Sequence, residues 1–299
     1  MRKEILAGRK KGGYPDWLIE YARNILRSCD PNAILFAGGD AEINPIRYLQ
    51  FVEDYRTDVT VIPIFALNVP WYAMILKNGL DDILVSAPIS WSEEQILGMR
   101  PYKWKINEIE IPISRRELEK YDIPLQENKM NWKLEPDLSF DSQTYLSGGR
   151  ALLANIIETN QWERSIYFTV GCPKSGMAGL NKYMQLSGLV FKMLPVETEK
   201  NDLSLDPEKI ETVLFQSKHY QHFADVNEHN MPRASRLLYN YHFVLLSLAR
   251  HYFETENKDS AKDILDFMGT YMPEIIFPLP AAMKKAMENL RGDLEIEGE

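Results

Sequence analysis

The chain has 299 residues, of which 45% are hydrophobic and 26% are charged, a balance typical of globular proteins rather than disordered or fibrous ones. This length fits one large α/β domain with a smaller appendage. The formal net charge of −9 argues against a nucleic-acid partner, because phosphate binding depends on clustered Lys and Arg side chains.

Three further classes of protein are disfavoured. No window approaches the ~20 consecutive apolar residues of a spanning helix. No apolar run follows the N-terminal charges, as it would in a secretory signal peptide. The chain as written is therefore expected to have no spanning segment and to be cytoplasmic. Cys29 and Cys172 are the only cysteines, which predicts no disulfide framework and no metal site. The basic segment from Arg2 to Lys11 is interpreted as a solvated tail, or alternatively as a segment lying against anionic lipid.

The first sixty residues predict a βαβ unit. Segment 16–29 has the apolar spacing of an amphipathic helix. Residues 33–37 form a short apolar run that predicts a buried strand, and 59–65 form a second one. Between them we expect a helix over 45–55 with Pro45 in its first turn. A strand, helix and strand in this order predict a right-handed crossover and a parallel pair of strands.

The alternation of helices and strands is expected to be interrupted by an insertion and to continue after it. The segment 70–80 predicts a helix, whereas the proline-rich segment 83–140 is interpreted as an irregular insertion with an edge hairpin around 106–113. A helix over 149–159 and a strand over 165–170, rich in β-branched and aromatic residues, then return to the sheet. The sheet therefore gains a third central strand.

The rest of the chain turns from sheet to helix. A short helical stretch is expected over 183–188 and a last strand over 189–194. Beyond Pro232 the apolar spacing is helical throughout. Helices are predicted over 233–254, 259–272 and 279–291.

The predicted fold is therefore α/β, with a three-layer, mostly parallel sheet and flanking helices over 14–232, followed by an all-helical tail over 233–299. Residues Leu248, Ala249, Ala261 and Leu265 of the tail have the sizes expected at a tetratricopeptide-like helical hairpin. A generic pair of antiparallel helices remains the alternative, because any close helix contact needs small residues.

The turn Gly38–Asp40 ends the first predicted strand, at the edge where open α/β sheets bind ligands. Asp40 is therefore the best-placed acid of the chain, although it could instead be a helix cap. A strand-end site would include the polar and aromatic residues that follow the first two strands. The candidate ligand-binding residues are Asp40, Glu42, Asn44, Arg56, Asn68 and Trp71.

Other motifs favour structural interpretations. Glycine-rich nucleotide motifs are missing, so no cofactor is predicted. Gly148–Arg150 could hold an anion at a helix start, but a flexible entry into the helix is preferred. His219, His222 and His229 match no metal-site spacing and are interpreted as loop residues. The aromatic side chains that could stack on a sugar are interpreted as core; these are Trp71, Tyr72 and Trp162.

Several stretches together resemble one known family. In chain order they are EYARNIL, PNAILFAGGD, YLQFVEDYRTDVTVI, LNVPWY, IIETNQWERSIYF and LNKYMQLSGLVFKMLP. They are similar to the extramembrane region of a bacterial multi-pass membrane family of unknown function, DUF2723, whose relatives include protein O-mannosyltransferases. The chain departs from the family's Gly-Asp-Asn-Asp-x-x-Pro turn, since the second acid is Glu42 and the Asn is replaced by Ala41.

The resemblance implies where chemistry is expected. In the family, sugar transfer is expected in the membrane-embedded portion, which this sequence does not contain. We therefore expect a non-catalytic accessory or recognition domain that binds a protein or glycan partner, possibly a membrane-embedded component. The alternative is a free-standing α/β enzyme with an acidic strand-end site around Asp40. If the chain is part of a longer membrane protein, the resemblance implies the periplasmic face of the inner membrane.

Overall fold

A computed structural model describes residues 3–4, 14–80, 84–121, 124, 127–198, 204–226, 231–274 and 277–296. Most of the basic N-terminal segment, including Arg2, Arg9, Lys10 and Lys11, lies outside the described residues, as does His229. Among the described residues, no helix combines the length and the apolar character needed to cross a bilayer.

The structure combines α-helices and β-strands, and within the described residues every named strand ends by Met193. The α-helices are α1 Asp16–Ser28, α2 Asp40–Val52, α3 Pro70–Asn78, α4 Glu93–Leu97, α5 Arg115–Lys120, α6 Gly148–Asn160, α7 Pro207–Leu214, α8 Met231–Glu254, α9 Lys258–Tyr271 and α10 Ala281–Ile296. The strands are β1 Ile34–Ala37, β2 Thr60–Pro63, β3 Tyr102–Lys103, β4 Asn107–Pro112, β5 Lys129–Leu134, β6 Leu138–Phe140, β7 Gln143–Leu146, β8 Ile166–Thr169, β9 Met184–Ser187 and β10 Val190–Met193.

The main sheet has five strands in the order β2-β1-β8-β10-β9. β1 is parallel to β2, with Ala37 opposite Pro63, and parallel to β8 on its other side. The predicted parallel pairing of the first two strands is confirmed. Every residue of β1, β2 and β8 is buried, as expected for parallel strands covered on both faces. β9 and β10 are joined by a two-residue turn and form a hairpin, so the sheet as a whole is mixed.

Two predictions about single elements are wrong. The stretch predicted as helical over 183–188 contains strand β9, because Gly188 at φ 72 permits a tight turn into β10. Helix α2 begins at Asp40, five residues earlier than predicted, so Pro45 lies inside the helix and not in its first turn. The extended backbone of Gly39 (φ −166) caps α2 directly after β1, and the strand therefore leads into the helix with almost no loop.

The segment predicted as an irregular insertion is more ordered than expected. β4 and β5 pair antiparallel in a separate two-stranded sheet, and β3, β7 and β6 form a three-stranded one. The predicted apolar alternation is present in β4, where Ile109 and Ile111 are buried. Trp132, opposite Ile109, is fully buried, and its indole N–H donates to the carbonyl of Ala178 at 2.8 Å.

The chain divides into two compact units that do not follow chain order. One comprises the described residues within Met1–Ser28, Leu186–Val190 and Leu205–Glu299, and the other comprises those within Cys29–Gln185 and Phe191–Ser204. In the first unit, α8 and α9 pack as a helical pair. The four residues predicted at their seam are all buried; these are Leu248, Ala249, Ala261 and Leu265.

Candidate functional site at the carboxyl edge of the sheet

The carboxyl ends of β1, β2 and β8 lie at one edge of the main sheet, because these strands are parallel. β1 leads through Gly38 and Gly39 into α2, and β2 leads into a 3-10 helix, Ile64–Asn68. β8 leads into the turn at Gly171. We call this the carboxyl edge; all the residues that form it belong to the second compact unit.

The chain segments that leave β1 and β8 are in close contact. A Cβ atom on Gly38 would lie 2.8 Å from the carbonyl oxygen of Gly171 and 2.9 Å from the Cα of Cys172. Both neighbours are backbone atoms and cannot rotate away. Gly39, in contrast, has open space where a Cβ would be. The first glycine of the pair is therefore required by backbone packing, whereas the second is not.

Glu42 supports this contact from the first turn of α2. Its side chain is 3% exposed, and one carboxylate oxygen accepts hydrogen bonds from the Thr169 hydroxyl at 2.6 Å and from the Gly38 N–H at 3.3 Å. A Cβ on Gly171 would collide with the other carboxylate oxygen. The positive end of the α2 dipole favours a carboxylate at this position. Glu42 therefore joins the ends of β1 and β8 and does not face solvent.

Asp40, in contrast, points away from the protein interior. It is the first residue of α2 and is exposed, and the cap of the helix is Gly39, without any side-chain hydrogen bond. The alternative that Asp40 caps the helix is not realised. Within the described part of the chain its carboxylate forms no hydrogen bond and no ion pair. Asn44, one turn later, is half-buried. Asp40 is therefore free to contact a ligand.

Two exposed aromatic residues follow β2 in the chain. Trp71 is 65% exposed and Phe65 is 53% exposed, so the interpretation of Trp71 as core is wrong. That interpretation holds for Tyr72, which is 7% exposed and meets Trp71 edge to face at 6.0 Å between ring centroids. The side chain of Asn68 has a structural role, since its Oδ1 accepts the backbone N–H of Gly149 at 2.7 Å.

Arg56 is not part of this group. Its guanidinium donates to the carboxylate of Asp58 at 2.9 Å and to the carbonyl oxygens of Cys29 at 3.0 Å and Asp30 at 2.8 Å. These partners precede β1 and β2, so Arg56 lies at the amino edge of the sheet, opposite Asp40. The sequence already indicates this edge, because Arg56 precedes the second predicted strand and parallel strands begin at the same edge of a sheet.

The other residues considered from the sequence have structural roles. Burial and the charge of Glu42 raise the pKa of the Cys172 thiol to about 12, so it stays protonated and is a poor nucleophile. His219 is buried with its Nδ1 2.7 Å from the carbonyl oxygen of Val213, and burial lowers its pKa. Among the described residues, no group of three His, Cys, Asp or Glu side chains is arranged to hold a metal.

At the start of α6, N–H groups that an anion could use are already bound within the protein. The Ser147 hydroxyl accepts the N–H of Arg150 at 3.2 Å, and Asn68 accepts that of Gly149. The guanidinium of Arg150 donates in turn to the carbonyl of Ser175 at 2.6 Å. The helix start is therefore capped by the protein itself, and the alternative of an anion site at Gly148–Arg150 is disfavoured.

Phe65 is the residue of this edge that the sequence analysis missed. It follows the paired residue Pro63 by two positions, whereas Asp40 follows the opposite residue Ala37 by three. Asp40 and Phe65 therefore both lie just beyond the carboxyl ends of two neighbouring, paired strands. Phe65 lies within a continuous apolar run, VTVIPIFA, and nothing in that run distinguishes the residue that leaves the sheet from those buried in it.

Comparison with known proteins identifies a family for most of this region. No curated protein and no solved structure gives a significant match. The model of TMEM260-associated domain 2 matches residues 18–105 and 104–213, which include the main sheet and the whole carboxyl edge. Helices α8, α9 and α10 lie beyond the match. Because the matched ranges cover more than half of the chain, it belongs to the TMEM260-associated domain 2 family.

Proposed function

We propose that this chain is a non-catalytic recognition domain that binds a carbohydrate at the carboxyl edge of its main sheet. The observation that carries the proposal is the pair of exposed aromatic side chains that follow β2, Phe65 at 53% and Trp71 at 65%, together with the unpaired carboxylate of Asp40, which follows the neighbouring parallel strand β1. Large aromatic residues normally bury most of their surface. Two exposed aromatic residues that follow a strand at the edge where open α/β sheets bind ligands therefore favour a recognition surface.

The chemistry of the edge suits a sugar ring. The face of an aromatic ring carries partial negative charge, and the C–H bonds on one face of a pyranose present partial positive charge to it. A carboxylate accepts hydrogen bonds from sugar hydroxyl groups, and charge-assisted bonds of this kind are roughly twice as strong as neutral ones. Trp71 and Phe65 would supply the stacking surface and Asp40 the orienting contact.

An enzyme at this edge is a weaker candidate. Hydrolysis of a glycosidic bond commonly needs two carboxyl groups that flank the reacting bond. Asp40 is available, but the carboxylate of Glu42 is buried and bound to Thr169 and Gly38. Cys172 is the neighbouring nucleophile by residue type, and its raised pKa disfavours the thiolate. The geometry therefore supports binding better than it supports catalysis.

The wider setting follows from the resemblance. Kinship with DUF2723 proteins and protein O-mannosyltransferases would make this domain the recognition partner of a membrane-embedded sugar transferase, at the periplasmic face of the membrane. In that arrangement the three-layer α/β unit would hold the glycan or glycosylated protein. A tetratricopeptide-like packing of α8, α9 and α10 would offer the surface for the protein component.

The proposal is tested by applying the chain to an array of immobilised mono- and oligosaccharides and then titrating the best binder by calorimetry. Trp71→Ala and Asp40→Asn are expected to weaken binding at least about tenfold, or about 1.4 kcal/mol. Phe140→Ala is the matched control, because Phe140 is 71% exposed on the separate small sheet. Absence of any glycan binding, or equal weakening by the control, would refute the proposal.

A further inference from the structure

A second candidate site is a cavity of ≈ 500 Å³ near the small sheets of the second compact unit. Its volume lies within the ~300–1,000 Å³ of typical ligand pockets. Three aromatic residues line it, Trp91, Tyr102 and Trp104, and the polar lining includes Glu108 and Glu158. None of these residues belongs to the carboxyl edge described above.

The aromatic lining is held in a fixed geometry. Trp91 and Tyr102 lie 6.3 Å apart between ring centroids, with an angle of 66° between their planes, so they form two walls of a corner. The indole N–H of Trp104 donates to the carbonyl oxygen of Leu134 at 3.0 Å, which fixes this ring relative to β5. All three aromatic residues are partly exposed and line the cavity.

The charged lining is predominantly acidic. Glu110 is paired with Lys129 at 2.6 Å, and Lys103 is the basic residue of the lining. Glu158 forms no ion pair with any described residue. Although Glu158 as a residue is exposed, protein packed around its carboxyl raises its pKa. A cation in the cavity would offset this cost, since an opposite charge nearby favours the ionised carboxylate.

We propose that this aromatic and acidic cavity binds the head of an organic cation, a quaternary ammonium or a guanidinium group. A cation over the face of a Trp or Tyr ring is attracted by the negative π-surface, most strongly by Trp. The carboxylate of Glu158 supplies the full negative charge, and the rings supply apolar surface against which the head group packs. A neutral sugar could stack on the rings and donate hydrogen bonds to Glu158, but it carries no charge to offset the acidic excess of the lining, which favours a cation over a carbohydrate here.

The experiment compares a cation with its uncharged counterpart on the full chain. Choline is titrated by calorimetry beside 3,3-dimethylbutan-1-ol, which has the same shape without the charge. Acetyl-arginine amide forms a second arm, which distinguishes a free ammonium compound from a peptide side chain as the source of the cation. We expect at least one of the two cations to bind and the neutral alcohol not to bind. Added salt is expected to weaken binding.

Variants then test which residues carry the binding. Glu158→Gln is expected to weaken it about tenfold, whereas Glu163→Gln, an exposed carboxylate outside the lining, should leave it unchanged. Trp91→Ala should abolish binding. Trp91→Phe keeps an aromatic ring and should give an intermediate affinity, so it serves as the test if the Ala variant does not fold. Equal binding of the neutral alcohol, an unchanged affinity in Glu158→Gln, or no binding of either cation would each overturn the proposal.

Discussion

Replacing Glu42 by Ala should destabilise the protein, because its buried carboxylate joins the ends of β1 and β8. The variant removes a 2.6 Å hydrogen bond from the Thr169 hydroxyl and a longer one from the Gly38 N–H. A hydrogen bond to a charged group contributes about 1.5–3 kcal/mol, and an unsatisfied buried partner costs about 1–3 kcal/mol. Thr169 is fully buried and would lose this partner. We therefore expect the free energy of unfolding to fall by about 3 kcal/mol.

Asp40→Ala is the matched comparison, two residues away on the same helix. Asp40 is exposed and makes no side-chain cap, so the variant loses only its interaction with the helix dipole, about 0.3–1 kcal/mol. Urea unfolding followed by far-ultraviolet circular dichroism measures both variants, with the slope of the transition checked for constancy. If Glu42→Ala were no less stable than Asp40→Ala, the structural role assigned to the buried carboxylate would be wrong.

Three further predictions concern packing and charge. Gly38→Ala should destabilise the protein by about 2 kcal/mol by overpacking against backbone, while Gly39→Ala, with open space around its Cβ, should cost less, because it changes only the residue type at the helix cap. Ala249→Arg, which forces a charge into a fully buried position, should cost about 3 kcal/mol or more in chemical unfolding; wild-type melting would count against the seam of α8 and α9. Burial acts to raise the pKa of Asp30, but hydrogen bonds from Lys192, Tyr167 and Ser165, together with the charge of Lys192, outweigh it and lower the pKa from 3.8 to about 2. The contribution of the Asp30 carboxylate to the free energy of unfolding is therefore complete above pH 3.8 and lost as the pH falls towards 2. Asp30→Asn should therefore flatten the acid side of the curve of unfolding free energy against pH.

The parallel part of the fold was accessible from the sequence because its signals are local. The buried strands β1, β2 and β8 are continuous apolar runs with helical segments between them, and this pattern predicts a parallel sheet. The hairpin of β9 and β10 was predicted only in part. Its first strand has the sequence MQLS, which is not a continuous apolar run, and the decisive feature is the positive φ of Gly188, a backbone conformation that the sequence permits without requiring.

The candidate site was predicted less completely, because exposure and direction depend on the whole fold. The position of Asp40 followed from the strand that precedes it. Glu42 and Asp40 look equivalent in sequence, but the helical turn places one of them against Thr169 and the other in solvent. Trp71 was interpreted as core from its residue type. Its exposure depends on which face of α3 meets the sheet, and a nine-residue helix with apolar residues on several faces does not reveal that face.

The claim that Trp71 contacts carbohydrate can be tested directly with protein labelled at its six tryptophans with 5-fluorotryptophan. Fluorine NMR resolves the six side chains, and the Trp71→Phe variant assigns the signal of interest. During titration with the carbohydrate that binds most tightly on the array, the Trp71 signal is expected to shift and saturate with the calorimetric affinity. The signals of Trp17 and Trp132, which are fully buried, should stay in place. A Trp71 signal that does not move at saturating ligand would contradict recognition at the carboxyl edge.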